Sequence, residues 1–174
     1  MRWMIVLAVL LIISICTQCG TGSQVSPTPS PFPVAKDIGS LARSVPVIVV
    51  AKIGELQPGR TVGEGDARLT FNDVHVTVER RLKGQLPAEL IVEQLTLAGR
   101  KASSEVGPAY EPGERYVLFL LPGEGNRYVT ATQGRYLLRK GRVHPTEPGS
   151  VADKFREAEE AKVIADIEAR LRTP

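Results

Sequence analysis

Both cysteines of this chain, Cys16 and Cys19, lie within its first nineteen residues, and this placement strongly constrains how the remainder can fold. Because residues 36–174 contain no cysteine, they cannot form a small domain held together by disulfides. Their stability must come from a hydrophobic core instead. A chain of about 140 residues is long enough for one domain that buries roughly two thirds of its unfolded-chain surface. We therefore expect a single domain over residues 36–174.

The segment that precedes Cys19 is typical of an export signal. It begins with one positive charge at Arg2 and continues with apolar residues from Met4 to Ile15. The fourteen residues 3–16 are shorter than the roughly 20 that a membrane-spanning helix needs. We therefore predict that residues 1–18 are a signal peptide, which is removed after export.

Cys19 is followed by small residues, Gly20-Thr21-Gly22-Ser23. This arrangement resembles the lipobox of bacterial lipoproteins, in which the cysteine behind the cleavage site is acylated. The positions before Cys19 hold Cys, Thr and Gln, where the lipobox has Leu, a small residue and Ala or Gly. The resemblance implies lipidation at Cys19 and a lipid anchor at the extracytoplasmic face of the cell membrane. An uncleaved anchor and plain secretion are the alternatives.

Residues 19–35 are predicted to be a tether. They include Ser-Pro-Thr-Pro-Ser-Pro-Phe-Pro at residues 26–33, where proline stands at every second position. Proline lacks the backbone N–H group and favours the polyproline II conformation, so this segment cannot build a core. At about 3.1 Å per residue, the fourteen residues 20–33 can hold the next domain roughly 40 Å from a membrane surface.

The charge of the exported part argues against nucleic acid as a partner. Removal of residues 1–18 leaves 21 Lys and Arg against 19 Asp and Glu, a balance of +2. The basic residues are interleaved with acidic ones, whereas a nucleic-acid surface groups its basic residues on one face.

The hydrophobic pattern of residues 36–174 predicts a mainly β domain with flanking helices. A short helix over residues 37–43 ends before Pro46. Strands are predicted at residues 45–53, 68–82, 89–97, 115–121, 127–132, 135–139 and 142–144, with long loops at 54–65 and 98–113. The apolar positions of the second strand change phase at Asn72-Asp73, which predicts a β-bulge there. Bulges of this kind let a sheet curl into a small barrel.

The C-terminal residues 150–172 are predicted to form an amphipathic helix. Ser150 to Asp153 is a capping-box pattern. The apolar residues follow at steps of three and four: Val151, Phe155, Ala158, Ala161, Ile164, Ile167 and Leu171. Six acids against five bases on the polar face argue against a helix that lies on anionic lipid. We expect the apolar stripe to pack on the barrel.

Three short motifs in residues 44–144 resemble netrin-like domains, a family that includes the tissue inhibitors of metalloproteinases. They are Val-Ile-Val-Val-Ala-Lys at 47–52, Val-Glu-Arg-Arg-Leu-Lys-Gly at 78–84 and Gly-Glu-Arg-Tyr-Val-Leu-Phe-Leu at 113–120. The resemblance implies an OB-type five-stranded barrel with accompanying helices. The inhibitors of that family chelate zinc through an N-terminal cysteine, but here no cysteine lies beside the first barrel strand. Zinc-chelating inhibition is therefore not expected.

We predict no catalytic residue, no metal site and no cofactor. His75 and His144 have neither cysteine partners nor HExxH spacing. Cys16 and Cys19 have redox-motif spacing, but they lie in the export segment. The adjacent acids Glu159-Glu160 point in different directions on a helix.

Two further motifs are interpreted without a binding role. Gly123-Glu124-Gly125 is a turn without the helix that a phosphate loop needs. The basic residues Arg80-Arg81 and Arg139, Lys140 and Arg142 would form a patch only if their strands are neighbours; solubilising charges at strand ends are the simpler interpretation.

These observations predict a non-catalytic lipoprotein of the cell envelope. Its partners would be the membrane, through the lipid anchor, and a protein or polymer of the envelope, but not nucleic acid. The alternative is a secreted inhibitor or carrier that works away from the membrane. An enzyme is a third hypothesis, against which the absence of a recognisable nucleophile motif argues.

Overall fold

The described part of the chain consists of a short helix, a series of strands and a C-terminal helix. The computed structural model describes residues 35–64, 68–96, 108–147, 151 and 153–172. The predicted signal peptide, Cys19 and almost all of the predicted tether lie outside these residues. The elements are α1 (Ile38–Ser44), β1 (Val47–Val62), β2 (Leu69–Lys83), β3 (Glu89–Thr96), β4 (Arg115–Pro122), β5 (Arg127–Arg139), β6 (Arg142–Pro145), a 3-10 turn (Asp153–Phe155), β7 (Ala158–Glu159) and α2 (Glu160–Arg172).

The first five strands close into a barrel. The sheet order is β3-β2-β1-β4-β5-β6-β7, and β3 also pairs with β5. This last pairing is parallel and short, joining Ile91 to Arg127 and Glu93 to Val129, whereas the other pairings are antiparallel. The predicted fold class is confirmed: a mainly β chain with a closed five-stranded barrel, compatible with the OB type, and a C-terminal helix.

Two hydrophobic clusters lie on opposite faces of this sheet. The barrel interior is filled by alternate residues of the strands, namely Val47, Val49, Ala51, Ile53, Val74, Val76, Leu90, Val92, Tyr116, Leu118 and Leu120. The outer face of β1, β4 and β5 packs against both helices through Ile48, Val50, Val117, Phe119, Tyr136, Leu138, Ile38, Leu41, Val163, Ile164 and Ile167. The helices therefore cover one side of the barrel, including the end of β2, and leave the outer face of β3 and of the first half of β2 uncovered by them.

The motif Leu-Lys-Gly at residues 82–84 has a structural role at the end of α1. Lys83 Nζ donates hydrogen bonds to the carbonyl oxygens of Ala42 at 2.7 Å and Val45 at 2.6 Å, which have no partner inside the helix. Gly84 has a φ of 84°, and a Cβ there would lie 2.7 Å from the Pro46 carbonyl oxygen. The motif thus joins β2 to α1, which accounts for these residue types without a binding function.

The predicted loop at residues 54–65 is wrong over most of its length, because β1 continues to Val62. Pro58 and Gly59 within this segment favour a loop. Beyond Lys52, β1 pairs with β2 but no longer with β4, so this part is an edge, where proline is tolerated. Bulges between Ile53 and Leu56 and between Pro58 and Thr61 absorb the remaining irregularity.

The bulge predicted at Asn72-Asp73 is not in β2 itself. The pairing of β2 with β3 is regular from Thr70 to Thr77. The extra residues lie on β1, opposite this region. The change of phase in the sequence arises because Phe71 is on the outer face of β2 together with Asp73, not in the barrel interior.

The turn predicted at Gln133-Gly134 is also wrong, since β5 is one strand of thirteen residues. Between the pairs Leu118–Arg135 and Leu120–Thr130, β5 advances five positions while β4 advances two. A large bulge therefore occupies this place, with Gln133 at a φ of 63°. The turn predicted at Lys140-Gly141 is confirmed, with positive φ at both residues and a two-residue hairpin between β5 and β6.

The helix predicted over residues 150–172 begins only at Glu160. A 3-10 turn and the short strand β7 precede it, and Glu157 has a φ of 61° that a helix cannot contain. Pairing of Ala158 with Val143 replaces the first helical turns. Val163 lies on the buried face of α2, whereas Ala161, which the stripe included, is exposed. Ser150, the predicted cap, lies outside the described residues.

Candidate functional site

The outer face of β2 and β3 carries a group of five charged residues, which we call the β2–β3 charge cluster. Asp73 on β2 and Glu93 on β3 are direct neighbours across the two strands. Two carboxylates so placed repel each other. Arg60 from β1 and Arg127 from β5 offset that repulsion, and Glu124 from the β4–β5 turn completes the cluster.

Glu93 is the buried centre of the cluster, with a side chain that is 0% exposed. Arg60 donates two hydrogen bonds to its carboxylate, from Nε at 2.6 Å and from Nη2 at 3.1 Å. The third nitrogen of Arg60, Nη1, donates to Glu124, whose side chain is 71% exposed. The guanidinium group also lies over the Phe71 ring, 4.9 Å from its centroid. A bidentate pair with this support holds the end of β1 against β3.

Arg127 forms the second bidentate pair of the cluster, with Asp73. Its Nη2 lies 2.8 Å from Oδ2 and its Nε 3.1 Å from Oδ1 of the aspartate. These hydrogen bonds hold the pKa of Asp73 below its usual value, with smaller effects from the charges of Arg127, His75 and Arg60, while burial opposes the shift. Asp73 is therefore ionised at neutral pH.

A groove of about 510 Å³ lies beside the charge cluster, where β3 and β5 begin. We call it the β3–β5 groove. Its walls come from the start of β3, the start of β5 and the turns that precede them, and the lining residues are Pro87, Glu89, Leu90, Ile91, Pro122, Gly125, Asn126, Arg127 and Tyr128. Arg127 belongs to both the groove and the cluster.

The lining of the groove is mixed, with apolar walls and few polar groups. This composition and volume are typical of binding sites for small ligands or for short segments of a partner. The two guanidinium groups of the cluster are already paired with carboxylates. They therefore hold the strands in place and have few free donors for a substrate. The arrangement suits recognition better than a chemical step.

The two histidines considered as catalytic candidates are not brought together. His75 is half-buried on the outer face of β2, next to Asp73. His144 is on β6, and its Nδ1 lies 3.0 Å from a carboxylate oxygen of Glu157. Strands β2 and β6 are not neighbours in the sheet. Within the described ranges, the structure contains no group of three or more His, Cys, Asp or Glu residues that could hold a metal ion.

The basic residues considered as a patch pair mainly with acids or carbonyls. Arg80 contacts Glu168 of α2 at 2.5 Å, and Arg139 contacts Glu114 at 2.5 Å. Arg142 Nη1 donates to the backbone carbonyl of Glu157. These contacts favour the interpretation of the residues as structural and solubilising charges.

The acids at 159 and 160 lie in different elements. Glu159 ends β7, while Glu160 begins α2 and accepts hydrogen bonds from Arg115 at 3.1 and 3.3 Å. The two acids therefore do not form a shared carboxylate site, but the reason is not that both lie on one helix, as was predicted.

The residues of the charge cluster were not identified from the sequence. The available signal was the position of Asp73 and Glu93 within strands, each beside a buried valine. An acid in such a place needs a partner, but the sequence does not show which arginine supplies it.

No protein-family model matches this chain, and no curated protein matches it either. Across the described part of the chain, no helix is both long and apolar enough to span a membrane.

Proposed function

We propose that this protein is a non-catalytic lipoprotein of the cell envelope, acylated at Cys19, that presents its barrel as a binding module. The observation that carries the binding role is the β3–β5 groove next to the β2–β3 charge cluster. Residues 1–18 supply the export signal and residues 19–35 the tether. The partner is a protein or polymer of the envelope, met at some distance from the membrane surface.

Three features support a binding role over catalysis. The groove is open, and its lining combines apolar residues with polar groups that can orient a partner. The charged side chains beside it are fixed in bidentate pairs, which gives a rigid surface with low cost of ordering on binding. The site lies at the turn between β4 and β5, a region that OB-type barrels use for ligands.

We further propose that the barrel is netrin-like. The support is the set of motifs at residues 47–52, 78–84 and 113–120, which fall on β1, β2 and β4. A structural reason exists for part of the second motif, because Lys83 and Gly84 join β2 to α1.

A variant that fills the groove tests the binding role. Asn126 is exposed on the rim of the groove, so Asn126→Trp adds an indole ring there without disturbing the core. The full-length protein, carrying an affinity tag, is purified from an envelope extract. The protein and polymer that co-purify with it are then quantified. We expect Asn126→Trp to reduce the specific co-purified material at least tenfold.

The matched control is Glu111→Trp, which places the same ring on an exposed residue outside the groove. We expect it to bind like the wild type, and both variants to keep the wild-type melting temperature. Equal capture by the wild type and both variants would show that the groove is not the binding surface.

The alternative is a secreted inhibitor or carrier that is not attached to a membrane. It shares the groove but not the lipid anchor. Partitioning into detergent separates the two hypotheses, because an acylated protein enters the detergent phase and a secreted protein without an anchor stays in the aqueous phase.

A further inference from the structure

Arg135 is a buried arginine at one end of the barrel interior. It follows the bulge in β5, and its partner across the sheet is Leu118, whose side chain belongs to the barrel interior. Register partners in antiparallel strands point to the same side, so Arg135 also faces inward. Only 5% of the residue is exposed.

The guanidinium group of Arg135 has neutral contacts on two sides. Its Nε donates a hydrogen bond to Thr146 Oγ1 at 3.0 Å, and that hydroxyl donates in turn to the Arg135 carbonyl. Its central carbon lies 4.6 Å from the centroid of the Tyr110 ring, a cation–π contact. The group is therefore held firmly in one position.

Among the described residues, no acid forms an ion pair with this guanidinium group. Its Nη2 is fully buried and has no hydrogen-bond partner among those residues. A buried cation without a directly contacting counter-charge is unfavourable, and a hydroxyl and an aromatic face offset only part of that cost.

The nearby acid, Glu147, keeps its charge but forms no ion pair with Arg135. Its carboxylate accepts a hydrogen bond at 2.6 Å from the backbone N–H of Gln133, in the bulge of β5. The side-chain oxygen of Gln133, a residue only 9% exposed, is a second buried polar atom without a partner among the described residues. Two polar atoms two residues apart on one strand therefore have hydrogen-bonding capacity that the described residues do not fill.

We propose that Arg135 binds a compact monovalent anion through Nη2, either a halide or the carboxylate of a small ligand. A water molecule can satisfy the hydrogen bond of Nη2, but it brings no charge into direct contact with the guanidinium group. A small anion supplies both the acceptor and the charge. Gln133 Oε1 accepts a hydrogen bond from the hydration water of a halide or from an N–H or O–H group of a carboxylate ligand. This site shares no residue with the β3–β5 groove, and it requires no lipid anchor.

Bromide is the probe for this site. Crystals of the protein grown in sodium bromide are measured at the bromine absorption edge, and we expect an anomalous peak within hydrogen-bond distance of Arg135 Nη2. Sodium acetate is then added at constant ionic strength. Loss of the peak assigns the site to carboxylates as well as halides, while retention assigns it to halides. Both results support the anion site.

Thermal unfolding gives the second measurement. At constant ionic strength, we expect the melting temperature of the wild type to rise saturably with bromide against a sulfate background, and the rise to vanish in Arg135→Gln. Arg139→Gln is the control, because Arg139 is an exposed arginine of the same strand and pairs with Glu114. It should keep the full response.

Several results would overturn the proposal. One is an ordered water alone at Nη2, and another is a direct ion pair between Arg135 and Glu147. An unchanged bromide response in Arg135→Gln would also overturn it. A bromide peak without any saturable effect on the melting temperature of the wild type would mark an adventitious ion only, and would overturn it too. If Arg135→Gln does not fold, the wild-type crystals and the wild-type titration decide the question.

Discussion

At the scale of single residues, two glycines with positive φ are surrounded very differently. Gly84 has a φ of 84° and Gly113 a φ of 87°. Replacement by alanine in this region of φ costs about 1–2 kcal/mol at either position. At Gly84 the new Cβ also meets the Pro46 carbonyl oxygen at 2.7 Å, whereas at Gly113 nothing lies within 4 Å.

We therefore expect Gly84→Ala to lower the free energy of unfolding by at least about 1 kcal/mol more than Gly113→Ala, because overpacking adds to the backbone cost. Urea unfolding at pH 7 measures the difference. Equal effects of the two substitutions would mean that the backbone around Gly84 moves freely, and that the junction of β2 with α1 is not tight.

Asp73 gives the protein a predictable dependence on acid. Its pKa is lowered in the folded state, chiefly by the hydrogen bonds from Arg127. A carboxyl group of this kind stabilises the folded state above its unfolded-state pKa of about 3.9, and that contribution is lost as the pH falls through the lower, folded-state value. The free energy of unfolding should therefore decrease below about pH 4.

Asp73→Asn tests this dependence. We expect the variant to be less stable than the wild type at pH 7, and the difference to shrink at pH 3 and below. Asp153→Asn is the control, since Asp153 is exposed and makes only a surface pair with Arg156. The same acid dependence in the wild type and in Asp73→Asn would contradict the role assigned to this aspartate.

At the scale of elements, the sequence predicts best where local signals and burial agree. The run of residues 115–121 is apolar throughout, and β4 lies in the middle of the sheet between β1 and β5. Lys140-Gly141 predicts a tight turn, and the structure has one. In both cases the residue types that favour the local conformation are also the ones that the fold needs.

The elements that the sequence misplaces are those decided by distant pairing. Pro58 and Gly59 favour a loop, but pairing with β2 keeps β1 extended to Val62. Gln133-Gly134 favours a turn, but pairing with β4 on both sides of it makes β5 continuous. The start of α2 is displaced because Ala158 pairs with β6. None of these partners can be identified from the local sequence.

The packing of α2 on the barrel can be tested at Ile167. This side chain is completely buried in the outer cluster, between the helices and the sheet. Removal of a buried isoleucine side chain costs about 2–5 kcal/mol. We expect Ile167→Ala to lower the free energy of unfolding by that amount, as measured by urea unfolding.

Leu171 provides the comparison, because it is only partly buried at the end of the same helix. Leu171→Ala should cost clearly less than Ile167→Ala. If both substitutions had a small effect, α2 would contribute little to the folded domain, and its packing would not be an essential part of the fold.

At the scale of the whole molecule, the fold class was predictable and the candidate site was not. Strand alternation and the motif resemblance sufficed for a small barrel with a C-terminal helix. The ion pairs of the charge cluster join residues that are 33 to 64 positions apart in the sequence, and its members come from four strands and a turn. Only the closure of the barrel brings them together, so no local pattern could reveal them.

We propose that this barrel is displayed on the envelope by a lipid on Cys19. Cells that express the full-length protein are grown with labelled palmitate, and the purified protein is analysed for incorporated label. We expect label in the wild type and in Cys16→Ala, and none in Cys19→Ala. An unlabelled wild type, or label that persists in Cys19→Ala, would contradict the claim.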